Sequence, residues 1–177
     1  LAQRNSALVE ALGDAQYHAM TMASMSWAYF TAGDIPAACR YAIQSLVETF
    51  AMRDVGTTTI SLHIGVLMAD MLGRFEDAAR LTGAFDALCE RYGVRPPAAL
   101  ERFIQTQDPF EAARQGLADD EAWRRLYAEG RRMDLEAAVA LIVEIGGGFE
   151  VPGGVGFSVP GKGGGGDASL RPAPPSA

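Results

Sequence analysis

The sequence predicts an all-α fold built from antiparallel helical hairpins. Three observations predict it. Apolar residues recur at helical spacing over residues 1–145. Paired signals for starting and stopping a helix repeat at a fixed interval. Proline is sparse until the last stretch, which alone holds 11 of the 20 glycines and 5 of the 9 prolines.

The first predicted helix spans about 15 to 31, behind Asp14, whose side chain can cap free N–H groups. Gly33 supplies its stop, because glycine accepts the left-handed conformation there. A second helix from Ile35 carries Ala38, Cys39, Ala42, Ile43, Leu46, Val47 and Phe50 as one broad stripe. The third, about 57 to 72, follows Asp54 and ends before Gly73. A fourth from Phe75 carries Ala78, Ala79, Thr82, Phe85, Cys89 and Tyr92. Asp14 to Asp54 is 40 residues, and Gly33 to Gly73 is 40 residues. Two independent punctuation marks on one period are the signature of a repeated helical hairpin. Small residues, Ala28 and Ala32 in the first helix and Gly65 and Ala69 in the third, are expected where backbones approach closely.

Beyond Tyr92 the pattern shortens. Gly93 stops the fourth helix, and Pro96-Pro97 turns the chain. Asp108, Pro109 and Glu111 form a capping box with an acidic cap. Residues 118–130 form a short helix with Trp123, Leu126 and Tyr127 inward, and Asp134 caps the last helix. These shorter helices are expected to close the apolar end of the stack. The expected organisation is 1–92 helical hairpins, 93–145 capping helices and 146–177 a disordered Gly/Pro-rich tail.

Composition narrows the function classes. The net charge is -7, and without a basic stripe such a chain is poorly suited to nucleic acid. Lys162 is the only lysine. The longest apolar run, residues 137–143, is too short to span a bilayer, so no membrane association is expected. Leu1 stands where a start Met would, which implies a fragment or a processed chain. Cys39 and Cys89 read as buried small hydrophobes of a cytoplasmic protein, not as a disulfide framework.

No catalytic constellation is found. Residues 156–163 have phosphate-loop spacing through Gly156, Gly161 and Lys162. Gly163 stands where Ser or Thr must hold the metal, and no helix is predicted after it. His18 and His63 lack the partners that a metal site at helical spacing requires. Neither metal nor cofactor is expected. Arginine pairs at 124–125 and 131–132 read as a solvated face or as partners of carboxylates, with an anion- or partner-binding patch as the alternative. Met20, Met22, Met25 and Trp27, with Met68 and Met71, read as a soft apolar set for core packing or for a groove.

The hairpins resemble degenerate tetratricopeptide repeats of longer period. Tyr29, Gly33, Ile35 and Ala38 match signature positions of one repeat, and Gly73, Phe75 and Ala78 those of the next. Ala42 and Thr82 depart from the large aromatic the motif prefers, and Ser45 and Phe85 from its Ala. "AARLTGAFDALCERYGV" (78–94) together with "YAEGRRMDLEAAVALI" (127–142) resembles the closing segment of large bacterial regulators. Those carry a signal-transduction NTPase module with either a nucleotide-cyclase domain or a LuxR-type DNA-binding domain. The resemblance covers residues 10–145. It implies a sensing or binding role, with the nucleotide chemistry elsewhere in the parent chain. A LuxR-type end would need a helix-turn-helix where the Gly/Pro tail stands, so the cyclase-associated or plain NTPase variant is favoured.

In such stacks the first helix of each hairpin lines the concave side. The resemblance therefore places Met20, Ala23, Trp27 and Phe30, then Ile60, His63, Leu67 and Asp70, along a binding trough. The expected function is a non-catalytic binding or regulatory module for a protein or peptide partner or a small signalling ligand. A stand-alone adaptor or self-associating protein is the alternative, and a small enzyme with a non-local site the third.

Overall fold

The computed structural model describes residues 14–96, 98, 102 and 109–147. Seven helices and no strand lie among them: α1 Ala15–Thr31, α2 Ile35–Ala51, α3 Val55–Met71, α4 Phe75–Tyr92, α5 Pro109–Leu117, α6 Asp120–Gly130 and α7 Leu135–Gly146. The predicted all-α class is the observed one. The tail, the acidic cap Asp108 and the phosphate-loop-like residues 156–163 lie outside the described residues.

Local chemistry sets the helix ends. Asp14 accepts from the amides of Gln16 and Tyr17, Asp34 from Ala37, and Asp54 from Thr57. Asp119 and Asp134 do the same for α6 and α7. Asp34, with Pro36 in the first turn behind it, is a further cap that the predicted start signals at Asp14 and Asp54 do not include. After each of α1 to α4 the backbone turns left-handed, at Gly33, Arg53, Gly73 and Gly93, with φ of 80°, 59°, 68° and 64°, and Ala118 does so between α5 and α6 with φ of 53°. The first four positions are 20 residues apart, so a corner follows each of α1 to α4, not only every second one.

α1 packs on α2, and α3 on α4, as the two most extensive contacts, while α2 joins the pairs through α3. Ser45 Oγ donates to the Ala19 carbonyl at 2.8 Å and ties α2 to α1 without leaving a buried hydroxyl unmet. The core runs through Ile43 and Leu46, Leu62 and Val66, Leu81 and Leu88, then Val139 and Ile142. α5 and α6 lie on α4. α7 instead crosses back over α2, α3 and α4. Its Ile142 presses onto Gly65, where a Cβ would fall 2.4 Å from Ile142 Cγ1. Gly65 is closely approached, but by the side chains of Ile142 and Leu81 and not by a neighbouring backbone as predicted. Ala28 and Ala32 are not: both are exposed, because α1 meets α2 through Ala19, Met22, Met25 and Ser26.

α6 seats on α4 through glycine. A Cβ on Gly83 would lie 2.1 Å from the Tyr127 carbonyl oxygen, and one on Gly130 1.9 Å from that of Arg80. Tyr127 donates to Asp86 at 2.6 Å, and Arg131 pairs with Glu90 at 2.6 Å. Arg125 reaches Glu129 at 3.9 Å, so two of the four paired arginines have carboxylate partners among the described residues.

Candidate functional site

A cavity of about 250 Å³ opens between α1, α2 and α3. α1 gives it Ala23, Ser26, Trp27 and Phe30, three to four residues apart on one face. The Trp27 and Phe30 rings stack with centroids 5.9 Å apart and form the outer wall. The first turn of α2 adds Ile35, Ala38 and Cys39. α3 supplies the longest wall, through Ile60, His63, Ile64 and Leu67, with Met68 and Met71 beyond.

The structure thus brings together six of the eight residues assigned to the trough: Ala23, Trp27, Phe30, Ile60, His63 and Leu67. Met20 and Asp70 are not among the lining residues. Met20 lies one turn before Ala23 and is 58% exposed. Asp70 sits just past the lining arc of α3, and burial raises its carboxyl above the usual range. The Met set divides. Met22 and Met25 are core, Met68 is buried at the cavity wall, and Met71 lines the cavity while remaining exposed.

The contribution of α2 escapes sequence reasoning. A hairpin register that gives the concave side to first helices leaves out the opening turn of the second. Ile35, Ala38 and Cys39 are legible only as core stripe, although the tight corner at Gly33 brings that turn against α1 and α3.

The walls are mainly apolar, with Ser26, Thr57, Ser61 and His63 as polar points and no Asp, Glu, Lys or Arg among the lining residues. His63 Nδ1 contacts the Ile60 carbonyl, which can only accept, so Nδ1 carries the proton. Burial lowers the His63 pKa from its ordinary value of 6.5, more than that bond raises it. The imidazole is therefore neutral at pH 7, and Nε2 is an acceptor. Burial also pushes the Cys39 thiol up to about 11, so it is no thiolate nucleophile. Ser61 Oγ donates to the Thr57 carbonyl at 2.9 Å along its own helix, the usual fate of a serine inside a helix and not that of an activated nucleophile. Among the described residues no group of three or more His, Cys, Asp or Glu side chains could hold a metal ion. None of the described helices is long and apolar enough to cross a membrane.

Fold and cavity together define a class: a helical protein with a mainly apolar, uncharged recess between packed helices. No family model, curated protein or solved structure matches the chain closely enough to name it more narrowly.

Proposed function

We propose that the chain is a non-catalytic binding and regulatory module of tetratricopeptide-like helical hairpins. It takes apolar side chains of a protein partner into the cavity between α1, α2 and α3. In its parent protein it passes that occupancy to a nucleotide-driven domain of a bacterial signalling regulator. The observation that carries the binding role is the cavity itself: six residues of a trough assigned on hairpin register line one recess. Its volume, about 250 Å³, lies below the range of roughly 300–1,000 Å³ of drug-sized ligand sites. It suits one or two side chains better than a whole cofactor. The 40-residue offset between α1 and α3, and between α2 and α4, supports the repeat reading.

The test is a calorimetric titration against peptides that present two apolar side chains on one face. Saturable binding by the full chain, lost in Leu67→Glu and Ile60→Glu, is the expected result. Absence of binding by every such peptide, or turnover of nucleotides or esters that His63→Gln removes, would overturn the reading.

Self-association is favoured by a different observation. α1 contains no Asp, Glu, Lys or Arg, yet Tyr17 and Met20 are 63% and 58% exposed. A charge-free exposed face is where two acidic copies could meet without opposing carboxylates. Sedimentation equilibrium reads this directly: a dimer that Met20→Glu dissociates supports it.

A further inference from the structure

The cavity has a candidate occupant within the same chain. α7 ends beside the cavity wall: a Cβ at Gly146 would fall 2.0 Å from Ile43 Cδ1 and 3.4 Å from Met68 Cε. Met68 is itself a cavity residue. The described residues end one position later, at Gly147, and the sequence continues through residues 148–177.

This C-terminal stretch carries a short internal repeat. Residues 148–153 read "GFEVPG" and residues 156–161 read "GFSVPG", eight residues apart. Each copy alternates apolar, polar, apolar, as Phe149-Glu150-Val151 and Phe157-Ser158-Val159. In an extended chain, side chains two apart point the same way, so Phe and Val can enter a recess together while Glu or Ser faces water. Pro-Gly then suits a turn that takes the chain away again. At about 3.5 Å per residue, Phe149 can reach about 7 Å beyond Gly147 and Val159 about 40 Å. Tethering raises the local concentration of such a segment to roughly the millimolar range.

We propose that the cavity is a docking site for this chain's own Phe-x-Val-Pro-Gly segments, and that a partner must displace them to bind. The proposal rests on the reading of the cavity as a peptide site.

Cys39 lines the cavity and Cys89, on α4, does not, so the two thiols report separately. The rate at which a small neutral maleimide labels each is measured by peptide mass spectrometry. It is compared between the full chain and its Phe149→Asp/Phe157→Asp variant. The expected result is labelling of Cys39 several-fold faster in the variant, with Cys89 unchanged. Glu150→Ala/Ser158→Ala, on the water-facing side, should leave both rates as they were. Equal Cys39 rates in the full chain and the aspartate variant overturn the proposal. So does a rise at both cysteines, which marks general loosening, or a response to the Glu150/Ser158 variant equal to that of the phenylalanine variant. An added peptide of residues 148–161 separates the two failures. If it protects Cys39 in chains whose own rates are equal, self-occupancy fails and peptide binding stands. If it protects Cys39 in neither chain, both fail.

Discussion

Arg53 holds a backbone conformation that glycine holds at the three equivalent corners, with φ of 59° against 80°, 68° and 64°. A Cβ in this region costs roughly 1–2 kcal/mol, partly offset by the entropy that a glycine loses on folding. Arg53 is exposed and no ion pair of its side chain occurs among the described residues, so nothing visible compensates. Arg53→Gly should stabilise the protein by up to about 1 kcal/mol, read as a higher urea midpoint at unchanged slope. This corner also shows where residue-level reading stops. Gly33 and Gly73 announce themselves, but an arginine in the same role has no sequence signal. His63 gives the pH dependence. Its depressed pKa means that the unfolded chain binds the proton more readily than the native one. Its contribution is complete above its ordinary value of 6.5 and is lost as pH falls below that, toward the depressed value. Protonation also places a cation in an apolar recess, so peptide affinity should weaken on mild acidification. His63→Leu should flatten that profile in a fluorescence titration.

Among the helices, α4 departs most from its predicted single stripe. Ala78, Ala79, Thr82 and Phe85 are buried as expected, but so are Leu81, Ala84, Ala87 and Leu88. The cause is its place in the fold, since α3, α5, α6 and α7 all pack on it. Periodicity reports one buried face, and a helix enclosed on several sides blurs that signal. Tyr92, the last residue of the predicted stripe, is 44% exposed at the C-terminal end of α4. The α4–α6 crossing depends on two glycines that meet opposing main chain, not flexible side chains. Gly130→Ala should therefore cost at least about 1–3 kcal/mol, since backbone cannot swing aside. A thermal melt checks this. Loss of the Tyr127–Asp86 hydrogen bond should accompany it, visible as changed tyrosine absorbance.

Across the whole molecule, the class and the helix order of residues 14–92 are legible in the sequence, because caps, stops and stripes agree there. α7 is legible as a helix but not in its position. Its return across α2 and α3 is set by the fit of Ile142 to Gly65 and of Gly146 to Ile43, contacts between residues far apart in sequence. The cavity is half legible for the same reason. Helical spacing nominates its α1 and α3 walls, while the α2 wall depends on how the corner at Gly33 brings three helices together.

The even stride of the first four left-handed corners has a consequence for how this chain tolerates change of length. One residue inserted within α2 would turn every later side chain on that helix by about 100°, moving its inward residues sideways. The corners at 33, 53 and 73 are exposed, and additions there leave the phase of each helix untouched. Indels should therefore gather at these seams, and grafted loops or tags belong there too.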